Sequence, residues 1–255
     1  METRLRDLLS KTSFCTCSYL KSLRSRRASI VRRAMQSWKI FLELPFAEKI
    51  FLDDGSPDIN GIKALKLSSN LNKFNEVRYT PLIHPPHSNF GILSSMTLCR
   101  GDYILHFDDD ICLTGSYQDY LRIMEKSIDV LDKDKNILGI NLLTMPVEFD
   151  KEWFPGKDYS GNQDFAHPNK YFGGAACLIR KNLLEKVSLT DIINWGAKQP
   201  DVWEILISDD VSSFLVTKVP TPFGLELDSW VYQSTSGINL RLIKYELKKF
   251  FYLKK

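Results

Sequence analysis

Acidic residues follow three apolar, strand-like runs of this 255-residue chain. The runs are residues 49–52, 102–107 and 205–208, and the acidic residues behind them are Asp53 and Asp54, Asp108 to Asp110, and Asp209 and Asp210. The carboxyl ends of parallel strands share one edge of a sheet, where open α/β sheets bind their ligands. Carboxylates gathered there repel by roughly 3 kcal/mol for a pair about 5 Å apart at an effective dielectric of about 20. A positive group is therefore expected among them.

A divalent cation is the natural positive group, because Mg²⁺ and Mn²⁺ prefer oxygen ligands and complete their shells with water and substrate phosphates. Asp108 and Asp110 are two residues apart, so an extended strand would send both carboxylates to one side. We predict that these two residues hold Mn²⁺ or Mg²⁺. The histidines are poorer candidates, because three of them adjoin prolines and His106 lies inside a strand-like run.

Strand-like and helix-like patterns alternate along the chain. Strands are predicted at 12–20, 49–52, 77–83, 102–107, 137–144, 172–180 and 205–208, and helices at 26–42, 61–73, 91–100, 117–131, from 181 onward, and at 211–218. This alternation predicts an α/β fold with a doubly wound, mainly parallel central sheet. We expect residues 1–237 to form a single domain.

Composition is that of a folded globular protein, with 44% hydrophobic and 25% charged residues. The odd number of cysteines, five, and their location in apolar runs indicate reduced thiols rather than a disulfide framework. We find no signal peptide and no run of about 20 apolar residues. A cytoplasmic location is therefore the expectation.

The charge is unevenly distributed. Residues 1–40 carry a net charge of +8 and residues 238–255 a net charge of +5, which leaves about −10 for the segment between them. An acidic middle argues against a nucleic-acid groove and favours anionic partners at the two ends. The last eighteen residues also place apolar side chains on one helical stripe among lysines. They predict a basic amphipathic helix that either packs on the domain or docks on an anionic membrane surface.

Residues 145–172 have no clean period and include seven aromatic residues from Phe149 onward. A stretch of this length without regular structure is unusual in a compact domain unless it is functional. Two interpretations have equal weight: a packed excursion, or an acceptor platform whose aromatic rings suit the faces of sugars.

Six short motifs, taken together, resemble family 2 inverting glycosyltransferases with a GT-A fold. In chain order they are SYL (18–20), LDDGSPD (52–58), NFG (89–91), GDYILHFDDDI (101–111), GGAACLIRKNLL (173–184) and SDDV (208–211). Each motif alone is weakly specific, but their order matches the family over about residues 12–220.

This resemblance implies metal-dependent transfer of a sugar from a nucleotide diphosphate, with a lean to a UDP-sugar, onto a hydroxyl of a glycan or other acceptor. It implies that Asp54 contacts the nucleobase, that Asp108 and Asp110 of the DxD motif hold ribose and metal, and that Asp210 is the general base. The remaining donor-side residues that it implies are Ser18, Tyr19, Ser56, Asn89, Gly91 and Asp109. The remaining residues near the acceptor or the base are Gly173, Gly174, Trp203, Glu204 and Asp209.

Two departures from the family pattern concern the late part of the chain. The residue before the predicted base is usually a glutamate and here is Asp209. No histidine follows His167, so the late third metal ligand of some relatives is absent, and substrate oxygens or water would replace it.

Other functions remain open from the sequence. A retaining GT-A enzyme would share the first two acidic clusters without needing the third. An inactive nucleotide-sugar or anionic-surface binding module would keep the fold without the chemistry. A nucleotidyltransferase fits less well, because residues 12–22 contain no glycine for a phosphate loop, and a phospho-acceptor domain would carry its acidic pair after the first strand, where Cys17 and Ser18 stand.

Overall fold

The structure is a computed structural model that describes residues 2–79, 89–142, 157–160, 162–168, 174–186, 211–218 and 221–225. The helices are α1 (Glu2–Ser10), α2 (Arg26–Ser37), α3 (Asn60–Leu67), α4 (Asn89–Thr97) and α5 (Tyr117–Lys133). The strands are β1 (Thr12–Ser18), β2 (Glu48–Asp53), β3 (Glu76–Tyr79), β4 (Tyr103–Asp108), β5 (Ile111–Leu113), β6 (Gly139–Asn141), β7 (Phe165–Ala166), β8 (Ala176–Arg180), β9 (Phe214–Thr217) and β10 (Phe223–Leu225).

Eight of these strands form one central sheet in the order β3-β2-β1-β4-β8-β6-β9-β7. Strands β3, β2, β1 and β4 are parallel, β8 runs antiparallel between β4 and β6, β9 is parallel to β6, and β7 is antiparallel at the edge. The predicted α/β fold with a mainly parallel sheet is confirmed. The chain winds outward from β1 to β3 and then returns to place β4 on the other side of β1. The carboxyl ends of β1 and β4 therefore form the switch point at which open α/β sheets bind ligands.

Side chains alternate between the two faces of β1 and β4, and each face has its own core. Phe14 and Phe107 pack edge to face on one side, with ring centroids 5.1 Å apart, in the core that also contains residues of α2 and α5. Cys15 and Ile104 point to the other side, where α4 contributes Leu93. The alternation also determines which of these two faces each acidic residue at the end of a strand lies on.

Several parts of the chain differ from the sequence-based predictions, among them the unpredicted short strands β5, β7 and β10 and a 3₁₀ turn at Lys181–Lys186, where a helix was predicted. Helix α1 was not predicted; it buries its leucines in the larger core, and Arg4 pairs with Asp129 of α5. The helix predicted at 211–218 is wrong: a short 3₁₀ turn at Val211–Ser213 leads into β9. Phe214, Leu215 and Val216 are consecutive and all buried. A strand within the sheet can bury such a run on both faces, whereas a helix on the surface buries only one stripe.

Among the described residues, we find no helix with the length and apolar character needed to cross a membrane.

Candidate functional site

The end of β4 separates the three consecutive aspartates. Asp108 is the last residue of the strand and lies on the side of His106, whose Nε2 is 3.1 Å from Asp108 Oδ1. Its side chain keeps 31% of its surface exposed. Asp109 and Asp110 form the turn to β5 and are both buried. Asp108 is therefore the member of the triad that solvent, or a ligand, can reach.

Arg27, in the first turn of α2, lies against the other two aspartates. Its Nη1 donates to Asp110 Oδ2 at 2.6 Å and its Nη2 donates to Asp109 Oδ1. Ser18, at the end of β1, donates from Oγ to Asp109 Oδ2 at 2.6 Å. Asp110 Oδ1 is buried and accepts no hydrogen bond from the described residues. For these two carboxylates, the positive group that the sequence led us to expect is a guanidinium supplied by the chain.

The site keeps an excess of negative charge. Burial, with a contribution from the neighbouring Asp110, raises the pKa of Asp109 to about 6 despite the opposing effect of Arg27. Burial likewise raises the pKa of Asp110. Burial also works to lower the pKa of Arg27, but Asp109 and Asp110 outweigh it, and the net direction is upward. A single guanidinium is shared among several carboxylates, so it stays charged while they remain incompletely neutralised.

Asp53 and Asp54, in the predicted donor-side turn after β2, have different contacts. Asp53 holds the turn together: its carboxylate accepts from Ser56 N at 2.8 Å and from Ile62 N at 3.1 Å. Asp54 is buried beside the start of α4, because a Cβ added to Gly91 would lie 2.7 Å from Asp54 Cγ. Asn89, another residue predicted on the donor side, lies in the first turn of α4 together with Gly91. Asp54 is thus the aspartate held beside α4 at the sheet edge, and its contact with a nucleobase stays a prediction.

The segment after β1 is hydrogen-bonded to the turn that follows β2. Ser56 Oγ accepts from Leu20 N at 2.9 Å, and Asn60 Nδ2 donates to Leu20 O at 3.2 Å. Tyr19 lies between these contacts and β1 and is half-buried. Ser18, Tyr19 and Ser56, which the resemblance assigns to the donor side, are therefore brought to one edge of the sheet.

The chain entering β8 lies beside Asp108. Gly174 is buried, and Ala175 O, next to it, accepts from Asp108 N at 2.7 Å. This contact brings one predicted acceptor-side residue to the switch point. Gly173, Trp203, Glu204, Asp209 and Asp210 lie outside the described residues, as do most of residues 145–172 and all of residues 238–255.

The strand that follows Asp210 in the chain begins far from Asp108 along the sheet. Phe214 of β9 is opposite Gly139, Gly139 is opposite Ile179, and Ile179 is opposite Ile104 near the amino end of β4. Ile104 precedes Asp108 by four residues, or about 13 Å of extended strand. The described chain after Asp210 therefore starts at the edge opposite the aspartate triad, and a catalytic role for Asp210 stays a prediction.

Three residues of the site were not predicted from the sequence. Arg27 counted only as one of the N-terminal basic residues, and His106 only as an unlikely metal ligand. Cys17 lies in β1 between the two acidic ends, with Leu52 and Asp108 as its partners in register. Burial, followed by Asp54 and Asp109, raises the pKa of Cys17, so its thiol is not activated. The register of β1 and β4 places Cys17 and Asp108 on one face. No local signal in the sequence relates Arg27 to aspartates at the end of a strand.

The described residues fit a divalent cation in part. They contain no group of three or more His, Cys, Asp or Glu side chains arranged to hold a metal. Asp110 Oδ1, buried without a hydrogen bond, and the partly exposed carboxylate of Asp108 are the oxygens left for one. Mg²⁺ and its relatives are commonly bound by one or two carboxylates together with substrate phosphates. The strand ends at Asp108 and the following turn carries Asp110 to Arg27, so the two carboxylates do not leave one side of an extended strand as the sequence predicted, and their binding of one cation stays a prediction.

Several solved structures share this fold. Residues 1–349 of S. aureus TarS, in complex with UDP-GlcNAc, are 11% identical over 89% of this chain and 61% of that chain, with a TM-score of 0.52. The mannosyltransferase PcManGT from Pyrobaculum calidifontis, in complex with GDP-Man and Mn²⁺, is 12% identical over 82% of this chain and 57% of that chain, with a TM-score of 0.45. Glucosyl-3-phosphoglycerate synthase from Mycobacterium tuberculosis, in complex with Mn²⁺, UDP and phosphoglyceric acid, is 11% identical over 72% of this chain and 62% of that chain, also with a TM-score of 0.45.

The similarity to TarS shows that the chain has the GT-A fold, as predicted, and the two looser similarities add nothing to that conclusion. This chain spans about 61% of the length of the TarS fragment. No protein-family model matches the sequence, and no curated protein matches it.

Proposed function

We propose that this protein is a glycosyltransferase that moves a sugar from a nucleoside diphosphate to an acceptor hydroxyl. The observation that supports this most directly is the placement of Asp54 and Asp108 at the switch point of a GT-A sheet, on either side of Cys17, whose pKa both carboxylates raise. The TarS fragment with this fold holds UDP-GlcNAc, which favours a UDP-sugar as the donor here. A glycan or another hydroxyl-bearing molecule is the proposed acceptor.

The described side chains suggest how the donor would bind. Asp54, held beside Gly91 at the start of α4, can accept a hydrogen bond from a nucleobase N–H. Asp108 is partly exposed and oriented by His106, so it can accept from a ribose hydroxyl. Ser18 is committed to Asp109 and acts by holding the triad in place. These contacts would position a nucleoside diphosphate along the carboxyl edge of β2, β1 and β4.

A divalent cation, Mn²⁺ or Mg²⁺, is the proposed cofactor, with Asp108 and Asp110 as its protein ligands. When bound, such an ion neutralises the charge that develops on the departing diphosphate. Excess chelator is expected to abolish turnover, and added Mn²⁺ or Mg²⁺ to restore it. Full activity in excess chelator would contradict metal dependence.

Inversion at the sugar carbon is the proposed stereochemical course. The acceptor oxygen forms a bond to that carbon while the bond to the diphosphate oxygen breaks, and the diphosphate leaves with the electron pair. The hydroxyl proton must pass to a base within hydrogen-bond reach. The resemblance assigns this base to Asp210, with Asp209 and then Glu204 as the next candidates.

Binding of UDP and GDP, with and without Mn²⁺, tests the donor class by calorimetry. We expect UDP to bind in the presence of Mn²⁺ and Asp54→Asn to weaken that binding. A panel of UDP- and GDP-sugars, screened for hydrolysis or transfer with Mn²⁺, then identifies the donor sugar. Failure of every nucleotide to bind the folded protein with Mn²⁺ present would overturn the proposal and favour a plain anionic-surface binding module.

A further inference from the structure

Arg27 occupies an unusual position for an arginine on an N-terminal basic segment. Its side chain is only 25% exposed, and it reaches two carboxylates whose side chains are 6% and 0% exposed, those of Asp109 and Asp110. The guanidinium presents paired donors in a rigid fork and stays charged in proteins, so it can bridge two carboxylates at once. Arg24, three residues earlier, is exposed, and its side chain bridges no such pair in the described contacts.

The bridge uses a carboxylate that the proposed function assigns to a metal ion. Asp110 Oδ2 accepts from Arg27 at 2.6 Å, and the other oxygen of the same carboxylate is the buried, unbonded Oδ1. A divalent cation bound at Oδ1 would therefore lie on the same carboxylate as a guanidinium. The two cations repel each other, and each reduces the negative charge available to the other.

We propose that Arg27 competes with the divalent cation for Asp110, and that a nucleoside diphosphate relieves the competition by offering Arg27 another anion. The inference rests on the proposed function, since it concerns the same carboxylates. In this proposal Arg27 is a positioning residue that holds Asp109 and Asp110 together when no ligand is bound. Metal binding then depends on the nucleotide donor. Metal and nucleotide should then bind cooperatively, and the coupling should be reciprocal.

Mn²⁺ affinity, measured from the free-ion electron paramagnetic resonance signal, tests this without any turnover. We expect Arg27→Met to bind Mn²⁺ alone about tenfold more tightly than the wild-type chain, within the range usual for coupled sites. We also expect saturating UDP to tighten Mn²⁺ binding strongly in the wild type and much less in Arg27→Met. The matched control is Arg24→Met, which removes the same charge from an exposed side chain three residues earlier and should behave as wild type.

Arg27→Lys covers the case in which the methionine variant fails to fold. Lysine keeps the charge but cannot donate through a two-pronged fork, so Mn²⁺ alone should bind more tightly than in the wild type, though less tightly than in a folded Arg27→Met. Variants with Mn²⁺ affinity equal to or weaker than wild type would overturn the competition. If UDP and Mn²⁺ still bind together in that case, the proposed function stands. Absence of Mn²⁺ and UDP binding from the wild type and every variant would overturn both.

Discussion

At the scale of single residues, the site is organised by the way strand β4 ends. Side chains alternate between the two faces of the sheet as far as Asp108. In the turn that follows, the carboxylates of Asp109 and Asp110 both contact Arg27. Two neighbouring carboxylates can be buried there because one guanidinium and Ser18 satisfy three of their four oxygens. Asp108 is left partly exposed, so three adjacent residues of one type have different surroundings.

The raised pKa of Asp109 predicts a pH-dependent cost to stability. Its pKa is about 6 in the folded protein against an ordinary value of 3.8, so between these values the folded chain holds a proton that the unfolded chain has lost. Stability from this group therefore falls as the pH rises from about 4 through about 6. Each unit of pKa corresponds to about 1.4 kcal/mol.

Asp109→Asn removes this titration while keeping an oxygen for Ser18 or Arg27. We expect its stability relative to wild type to improve as the pH is raised from 4.5 to 7.5, measured by urea unfolding at both values. Asp119→Asn changes an exposed carboxylate whose pKa Ser116 lowers below the ordinary 3.8, so its effect on stability should stay nearly constant over this pH range. A pH-independent difference for Asp109→Asn would contradict the raised pKa.

Asp210→Asn tests the proposed base. Removing a general base typically lowers kcat by about 10² to 10⁴, whereas UDP binding and folding should be unchanged. Asp209→Asn is the matched control and should keep most of the activity. Product configuration, determined by NMR on the transferred sugar, separates inversion from retention. Turnover by Asp210→Asn within a few fold of wild type would move the search to Asp209 and Glu204.

At the scale of elements, α2 and α4 bring their first turns to the same sheet edge from opposite faces. Helix α2 carries Arg27 to one side of the triad, and α4 brings Gly91 against Asp54 on the other. The amino ends of helices favour nearby negative charge, which helps to explain why buried carboxylates are tolerated here. The start of each helix therefore matters more to the site than its length.

Gly91→Ala is expected to weaken donor binding. The new Cβ would lie 2.7 Å from Asp54 Cγ and from its Oδ2, so the carboxylate or the helix must shift. We expect a higher donor KM with a smaller fall in kcat, because the nucleobase lies away from the reacting carbon. Gly61→Ala, which would crowd the turn-holding Asp53 instead, should mainly reduce thermal stability. An unchanged donor KM in Gly91→Ala would count against the role of Asp54.

The N-cap of α2 should affect the site as well as stability. Ser25 Oγ accepts from Ala28 N at 3.1 Å and so begins the turn that contains Arg27. Ser25→Ala should cost about 1 kcal/mol and loosen the Arg27 bridge. Ser116→Ala removes the equivalent cap of α5 and should cost a similar amount of stability. We expect Ser25→Ala alone to raise Mn²⁺ affinity, and equal Mn²⁺ binding in both variants would show that the cap does not influence the bridge.

At the scale of the whole molecule, basic ends flank an acidic centre. Part of the N-terminal positive charge is used internally, since Arg4 pairs with Asp129 and Arg27 with Asp109 and Asp110. The positive charge of residues 238–255 lies outside the described residues, and its role remains a prediction. If this segment docks on anionic lipid, each lysine or arginine near the surface contributes roughly 1 kcal/mol.

Deletion of residues 238–255 tests peripheral membrane docking. If docking occurs through this segment, the intact chain should co-sediment with phosphatidylserine vesicles at low salt and the shortened chain should not. Binding should weaken as salt rises, because screening shortens the reach of the charges. Neutral phosphatidylcholine vesicles are the control. Equal pelleting of the shortened chain would rule out docking through this segment.

The sequence by itself determined strands β1, β2 and β4 and the positions of the acidic residues that end β2 and β4. Apolar runs that end in Asp54 and Asp108 are local signals, because strand patterning and turn chemistry are both read within a few residues. Their alternation with helices was enough to predict an α/β sheet with these ends on one edge. The roles of Asp209 and Asp210, in contrast, depend on a resemblance and on a segment outside the described residues.

Only the tertiary structure decided what meets these carboxylates. Arg27 is 82 residues from Asp109 in the chain, and their contact exists because α2 packs beside the β1–β4 switch point. The stretch 214–217 likewise became a strand because β6, more than seventy residues earlier, supplies backbone partners. Such contacts between distant residues depend on packing and on strand pairing, which no window of neighbouring residues contains.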